Sequence, residues 1–524
     1  AQANSVASRI NQMGDQLNRE EVYVRQQMAV GAEQINQLAS QLVDLNRRIS
    51  DERNTLNPPL QLMDQRDQVL SELSSLAGAD VFDLKEDQVA VYIGGNVLVS
   101  GTQRLDVEIS ASSQDPTRSQ LVMTSNGKTV GYVANSALGG ELGGTNRILD
   151  EVVVPARNEL GRISLALAEA VNQTLGRGLD LNGEFGAPLF SDINSSGYKS
   201  GRAIANTANT GSGLIDVAIT DTQLLKAQDY QMKFSAGGSY EILDGAGASV
   251  ASGTLSGAST TIAFDGIELT LGNASDYADG DRFGLQPTRR AADSLRVALS
   301  DPAALGLAGP VVGESGLNNT GSGTMTVGAA FDVSSTSLFT TSPAGMSPEL
   351  RVEFTSASTY EVRNAATNAS LWSATYTPGS TIDLFAQAPG TQYTGFMATI
   401  DGLPAVGDTF ELVFNAGGTS DNRGAQALSD LQETGWLNGG EERFIDSFGG
   451  LVSRTGSTAA MGQIAADADA AVYSASSSRL GDMSGVNLDE EAANLVRYQQ
   501  YYQASAQVVS VANELFDTLL GSLR

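Results

Sequence analysis

The chain has 524 residues, which suggests roughly three or four domains, and 41% of them are hydrophobic, enough for sizeable cores. Lys and Arg total 31 against 60 Asp and Glu, so the net charge is −29. This balance argues against binding to nucleic acid or to an anionic membrane surface, since both need clustered basic residues. The absence of Cys and His excludes disulfides, thiolate metal sites, the Ser-His-Asp triad and the HExxH zinc site. We therefore expect a protein that is not an enzyme, with no catalytic residue, no cofactor and no metal site.

The sequence predicts no membrane span in any segment and no secretory signal peptide in its opening residues. No run approaches the roughly 18 apolar residues that a span requires, and the first 21 residues lack the apolar core of a signal. The chain begins with Ala1 rather than Met, and an amphipathic helical pattern runs from its first turns. We expect a fragment whose true start is missing.

The first predicted element is a long amphipathic helix from Val6 to Ile49, in which apolar residues recur every three or four positions. From Val24 onward the pattern becomes a coiled-coil-like repeat that should pack against another helix. Its two lines are Val24, Gly31, Leu38 and Leu45, and Met28, Ile35, Leu42 and Ile49. Asn57-Pro58-Pro59 should end this helix, and a second one is predicted from about Leu60 to Ala77, with Gly78 as its C-cap.

The next segment predicts strands and then a second long helix. Alternating apolar residues favour strands at 89–93 and 105–109, and Asn126-Gly127 between two apolar runs indicates a hairpin turn. A helical pattern then runs from about Asn146 to Leu175. Pro155 should kink or break it near its start.

The region from about 197 to 420 is poor in charge, rich in Gly, Ser and Thr, and contains a possible internal duplication. Phe234 and Tyr240 recur 120 residues later as Phe354 and Tyr360. We also pair residues 264–271 with 400–406, and residues 280–285 with 407–412. Each copy is predicted to be a small β-domain. Accidental similarity stays open as the alternative.

Helices return at about Asn422 to Gln432, from Glu441 to Ser478 and from Leu488 to Leu520. Asn487 is the predicted N-cap of the last helix, and Glu490 could close a capping box with it. The cleanest heptad seam of the chain lies in this helix and comprises Leu488, Ala492, Leu495, Tyr502, Val509, Phe516 and Leu520. The residues leave open whether this assembly seam faces partner helices or an ordinary core within the chain.

Three further sequence patterns are weaker indications of a functional site. Residues 180–184 resemble the start of a calcium loop, but Phe185 and Ser191 stand where the EF-hand template needs Gly and a carboxylate, so an Asx turn is the better interpretation. The many acidic residues leave a glycan-hydrolysing carboxylate pair open, although no cluster is prominent. Tyr498, Tyr501 and Tyr502 are interpreted as core rather than as a ligand platform.

Five stretches resemble, in chain order, the flagellar hook-associated protein 1 (FlgK) family. They are LMDQRDQVLSEL (62–73), LGGTNRILDEVVVPARNELGRISLALAEAVNQ (142–173), GLDLNGEFG (178–186), SDNRGAQALSDLQ (420–432) and SGVNLDEEAANLVRYQQYYQASAQVVSVANELFDTLL (484–520). The last stretch (484–520) alone is similar to axial flagellar proteins in general, whereas the five stretches together, in this order, are similar to this family. We expect the family's N-terminal helix, which pairs with the C-terminal one, to be missing from this fragment.

The resemblance implies a structural role at the junction between the flagellar hook and the filament. It implies partners as well: copies of the chain in a junction ring, the hook subunit below, a second junction protein above and a flagellar export chaperone. It also implies an extracellular location reached by flagellar type III export without a cleavable signal. The alternative is a secreted adhesive protein whose β-domains bind a surface while carried on the flagellum.

The expected fold class is multidomain α+β, with a long antiparallel, coiled-coil-like helical bundle from both chain ends and inserted all-β outer domains. The expected divisions are helices of the stalk (1–80), a β-hairpin region (81–144), a long stalk helix (145–178), a β-rich outer domain (179–310), a second and possibly duplicated one (311–420), and C-terminal helices returning to the stalk (421–524).

Overall fold

The computed structural model describes residues 2–52, 59–112, 116, 118–257, 259–334, 337–389, 395–418, 420–484 and 488–522. Within the last two helices, the side chains of 483–484, 488, 516–517 and 519–522 are not among those described. The chain divides into two compact units, an N-terminal unit of residues 1–453 and a C-terminal unit of residues 454–524. Among the described residues, no helix combines the length and the apolar composition needed to cross a membrane.

The N-terminal unit begins with the two predicted helices, followed by two antiparallel sheets. Helix α1 spans Gln2–Glu52 and α2 spans Leu60–Ala77, with Gly78 in the left-handed conformation that ends the helix (φ 68°). Asn57 and Pro58 lie outside the described residues. The first sheet has the order β1-β2-β3-β4 (Ala79–Asp83, Val89–Ile93, Asn96–Ser100, Gln103–Arg104). The second has the order β5-β6-β7 (Asp106–Ala111, Ser119–Ser125, Lys128–Tyr132), and Asn126-Gly127 forms the predicted hairpin turn with positive φ at both residues.

The apolar ridge of α1 is covered by the chain's own residues. Met28, Ile35, Leu42 and Ile49 are buried in one core that also contains Leu62 and Leu73 of α2 and residues of β2, β3, β5 and β6. The helix also binds the sheets through amides, since the Asn46 side chain bonds the N–H and C=O of Val89 and the C=O of Gly101. The expectation that this ridge packs on a helix is therefore only partly right, because the sheets cover much of it.

The second long helix is interrupted where Pro155 predicted a break. Helix α3 (Gly140–Ile148) continues through a π-helical turn (Leu149–Val153) into α4 (Val154–Gly176). Proline lacks an amide hydrogen, so the first turn of α4 suits it. Helix α4 is buried over most of its surface. A Cβ at Gly161 would lie 1.8 Å from the carbonyl oxygen of Thr288, so glycine is what permits this close approach.

Two β-repeats follow, each with a five-stranded and a three-stranded antiparallel sheet. After the short helix α5 (Ser196–Gly201), the first β-repeat contains β8–β15: Ala203–Ala205, Ile215–Ile219, Tyr230–Ser235, Ser239–Leu243, Ser249–Thr254, Thr260–Phe264, Ile267–Leu271 and Arg282–Leu285. The second contains β16–β25: Val311–Ser315, Thr324–Ala330, Phe339–Thr341, Ala344–Met346, Leu350–Ser356, Thr359–Asn364, Ser370–Thr375, Ile382–Asp383, Phe396–Asp401 and Thr409–Phe414. Strands β18 and β19 form a hairpin of their own.

The strand orders of the two β-repeats correspond once that hairpin is set aside. The larger sheets run β12-β11-β10-β15-β8 and β22-β21-β20-β25-β16, and the smaller ones β13-β14-β9 and β23-β24-β17. The recurring aromatic residues occupy equivalent cross-strand pairs, Phe234 with Tyr240 and Phe354 with Tyr360. A shared topology with shared residues at matching positions supports duplication over accidental similarity.

A buried aspartate fixes the same loop in each β-repeat. Asp281 accepts hydrogen bonds from the N–H groups of Thr210, Gly211 and Ala278, at 2.8–3.2 Å. Asp408 accepts them from Thr320, Gly321 and Ala405, at 2.8–3.0 Å. Residues 280–285 and 407–412, which the sequence comparison paired, therefore occupy equivalent positions in the two β-repeats.

The other proposed pairing, residues 264–271 with 400–406, is wrong. Asp265-Gly266 forms the turn before β14, whereas Asp401 is the last residue of β24, the strand equivalent to β14, and Gly402 follows it. Both glycines have positive φ (74° and 89°). The local similarity therefore reflects the chemistry that tight turns share rather than a common position.

Asp408→Asn should lower the free energy of unfolding of the second β-repeat by about 1.5–3 kcal/mol, the usual value of hydrogen bonds to a charged group. Burial opposes ionisation of Asp408, but the three N–H donors outweigh it and hold its pKa below the ordinary value. The stabilisation is therefore present above the unfolded pKa of about 3.9 and is lost as pH falls through the folded pKa. Thermal unfolding at pH 7 and pH 3 measures both effects.

The matched control for this prediction is Asp279→Asn, because Asp279 is exposed and has no hydrogen bond to the described residues. Equal stability losses in the two variants would contradict a specific role of the Asp408 carboxylate.

Helices close the chain, in agreement with the sequence pattern. Helix α6 spans Arg423–Asp430, α7 spans Phe444–Ser484 and α8 spans Leu488–Ser522. The start of α7 belongs to the N-terminal unit, and the remainder of α7 with α8 forms the C-terminal unit.

The predicted Asx turn at residues 180–184 is present. Asp180 Oδ1 accepts a hydrogen bond from the N–H of Asn182 at 2.7 Å and another from the N–H of Glu184 at 3.0 Å.

Candidate assembly surface

The described side chains of the C-terminal unit are almost all exposed, although many are large and apolar. On α8 the exposed fractions reach 79% for Tyr502, and on α7 they reach 71% for Tyr473. The apolar set comprises Met461, Ile464, Val472, Tyr473, Leu480, Leu495, Val496, Tyr498, Tyr501, Tyr502, Val508, Val509, Val511 and Leu515. Burying one such side chain stabilises a protein or complex by about 1.5–3 kcal/mol. Covering this surface with a partner would therefore be strongly favourable.

The predicted seam lies on this surface wherever it is described. Leu495, Tyr502 and Val509 are exposed by 59%, 79% and 60%, and Ala492 is exposed as well. Leu488, Phe516 and Leu520 lie in α8, but their side chains are outside the described set. The predicted N-cap Asn487 falls outside the described residues altogether. Within the C-terminal unit, the described seam residues are therefore exposed rather than buried.

Sequence reasoning missed how far the apolar surface extends around α8. Val496, Tyr498, Tyr501, Val508, Val511 and Leu515 are also exposed. The interpretation of Tyr498, Tyr501 and Tyr502 as core is wrong for this chain, since all three are at least 61% exposed. The heptad template selects one line of residues and so overlooks apolar residues on neighbouring faces, whereas counting all apolar positions on α8 would have found them.

The first turn of α7 is held in the N-terminal unit by a buried charged cluster. Arg162 of α4 donates to Glu159 at 2.7 Å, to Glu442 at 3.1 Å and to the Ser447 hydroxyl at 3.0 Å, and Ser447 also bonds Glu159. Burial lowers the pKa of Arg162, but the two carboxylates outweigh that effect and raise it above its ordinary value. The cluster joins the middle of α4 to the segment that leads into the C-terminal helices.

Three family models match the chain. Residues 1–190 match the flagellar hook-associated protein FlgK helical domain, and residues 204–287 match the D2-like domain of flagellar hook-associated protein 1. Residues 482–522 match the flagellar basal body rod FlgEFG protein C-terminal model, which covers the predicted seam.

Whole-chain comparisons agree with these matches. Flagellar hook-associated protein 1 of Escherichia coli is 26% identical over 97% of this chain and 74% of its own length, and that of Salmonella typhimurium gives the same values. The structure of the flagellar hook junction protein FlgK from Burkholderia pseudomallei superposes with a TM-score of 0.78 at 26% identity, covering 93% of this chain and 88% of its own. The chain therefore belongs to the flagellar hook-associated protein 1 family.

Proposed function

We propose that this chain is a structural subunit of the bacterial flagellum that connects the hook to the filament and assembles through its C-terminal helices. The observation that carries the proposal is the exposed apolar surface of α8, in a chain whose other large apolar residues mostly lie in closed cores. The surface coincides with the part that matches the C-terminal model of rod proteins. An apolar helix face without an internal partner favours association with other helices.

The assembly residues in this proposal are the seam Leu488, Ala492, Leu495, Tyr502, Val509, Phe516 and Leu520, with Asn487 as N-cap. Their partners are neighbouring copies in a junction ring, the hook subunit below and a second junction protein above. Repeated contacts between different faces of identical subunits generate rings or helical lattices, which suits a layer between two tubes.

The proposal extends to export, location and domain division. In this proposal the chain leaves the cell unfolded through the flagellar type III apparatus, with an export chaperone, and acts outside the cell. Residues 1–80, 145–178 and 421–524 belong to the stalk, residues 81–144 form the hairpin region, and 179–310 and 311–420 are two outer domains.

The adhesive alternative is not favoured. A surface-binding role would reside in the β-repeats, but the first of them falls within the match to a D2-like domain of hook-associated protein 1. The relatives are named as a flagellar hook-associated protein and a flagellar hook junction protein, and we propose that this chain has no enzymatic activity.

Electron microscopy of purified hook–filament junctions tests the location. With a gold-labelled tag inserted at Gly247, an exposed loop residue of the first β-repeat, label should concentrate in one band between hook and filament. Label scattered along the filament, or absent from the junction, would contradict the proposal. An untagged strain controls for unspecific label.

A further inference from the structure

Three asparagines of this chain are followed directly by glycine: Asn126, Asn182 and Asn438. This dipeptide is the one most prone to spontaneous loss of the side-chain amide, because glycine has no side chain to keep its backbone nitrogen away from the preceding amide carbon. The three pairs differ in the contacts that hold them. The fold therefore distinguishes sites that the sequence alone leaves equal.

At Asn438 the side chain and the following backbone nitrogen are both engaged. Oδ1 of Asn438 accepts a hydrogen bond from Arg162 at 3.0 Å, and Nδ2 donates one to Glu442 at 2.6 Å. The N–H of Gly439 donates to the carbonyl oxygen of Gln223 at 2.9 Å. A reaction between the two groups must first break these contacts.

Asn182 is held in a similar way by its Asx turn. Its Nδ2 donates to Asp180 Oδ2 at 3.1 Å, and the N–H of Gly183 donates to the carbonyl oxygen of Asp180 at 3.2 Å. A Cβ at Gly183 would lie 2.9 Å from the carbonyl oxygen of Ala416, so the turn has little room to rearrange.

Asn126 lacks such contacts. With Gly127 it forms the exposed tip of the β6–β7 hairpin, where the two residues have φ of 51° and 71°. Among the described residues, none forms a hydrogen bond with the Asn126 side chain or with the N–H of Gly127. A Cβ at Gly127 would have nothing within 4 Å. Both reacting groups are therefore free, and the space around them is open.

We propose that Asn126 is a site of spontaneous deamidation, and that the fold protects the other two Asn-Gly pairs. The backbone nitrogen of Gly127 gives up its proton and bonds to Cγ of Asn126. The Cγ–Nδ2 bond breaks, and Nδ2 takes up the proton and leaves as ammonia. Water then opens the resulting succinimide at either carbonyl, which gives aspartate or isoaspartate and adds one negative charge to the chain.

The isoaspartate product does not fit the hairpin. It routes the backbone through Cβ of residue 126 and so lengthens a two-residue turn whose geometry sets the register of β6 and β7. Leu121 and Met123 of β6 are buried in the core that also contains residues of α1. Modification of the exposed tip should therefore destabilise a buried sheet.

Peptide mapping by mass spectrometry, on the purified chain incubated at pH 8 for increasing times, tests the proposal. Because hydrogen bonds must break at each protected pair, conversion at Asn126 should be at least roughly tenfold faster than at Asn182 or Asn438. In guanidinium chloride the three should react at similar rates, because glycine follows each of them. Equal rates in the folded chain, or the same lead of Asn126 in the unfolded chain, would overturn the proposal.

Asn126→Gly is the matched variant, because Gly-Gly also forms this turn but has no amide to lose. The thermal midpoint of the parent chain should fall as isoaspartate accumulates, whereas that of the variant should stay constant during the same incubation. An unchanged midpoint of the converted parent chain, or an equal fall in the variant, would overturn the effect on the hairpin. Circular dichroism before incubation checks that the variant keeps its fold.

Discussion

Replacing Leu495 and Val509 together by Asp should strip filaments from the hooks. Both residues are exposed in the chain and lie two heptads apart on the seam, so the variant should fold normally. Once copies assemble, each Asp would place an unpaired charge in an apolar contact, at a cost of several kcal/mol. Since 1.4 kcal/mol is a factor of ten in an equilibrium, attached filaments should fall below about a tenth of the wild-type number. Electron microscopy of cells and swimming assays measure this.

The matched control is Gln500→Asp with Gln507→Asp, which adds the same charge to exposed positions on the opposite side of the same helix. This variant should keep most of its filaments. Normal motility of the Leu495–Val509 variant would reject the assembly role of the seam. Thermal unfolding of the purified variants separates loss of assembly from loss of fold.

Arg162→Met should produce the largest loss of stability in the N-terminal unit, about 3–5 kcal/mol, the usual cost of removing one partner from a buried ion pair. Methionine fills a similar volume but leaves the Glu159 and Glu442 carboxylates without their shared cation. The effect should appear in urea unfolding as a lower midpoint with an unchanged slope.

Arg443→Met is the control for that experiment, because it removes another arginine that contacts two acids, Glu433 and Asp446, on the exposed surface. Water screens ion pairs on the exposed surface, so they add little to stability and the control should unfold almost like the parent chain. Similar losses of unfolding free energy in both variants would show that burial does not increase the contribution of the Arg162 cluster to stability.

The sequence was sufficient for the elements with strong local patterns. Helix α1, the Asn126-Gly127 hairpin and the break at Pro155 each depend on residues within a few positions of one another. The apolar period of α1 and α8 was equally clear, yet the α1 ridge is covered by helix α2 and by sheets of its own chain, whereas the α8 ridge is exposed. A periodic pattern shows which face of a helix is apolar, but not what will cover it.

The Arg162 cluster shows a second limit of sequence-based prediction, which concerns contacts between residues far apart in the chain. Glu159 and Arg162 have the spacing of an ordinary surface pair, and their partners Glu442 and Ser447 are about 280 residues further along the chain. Only the near-complete burial of α4 makes the pair unusual, and burial depends on tertiary packing.

The pairing of first and last strands gives the β-repeats a modular geometry. In the first, Ala203 of β8 lies opposite Leu285 of β15, and in the second, Val311 of β16 lies opposite Phe414 of β25. The polypeptide thus enters and leaves each repeat side by side, at the separation of neighbouring strands, about 5 Å. Evolution could insert, lose or exchange such a cassette without moving the helices to which it is joined.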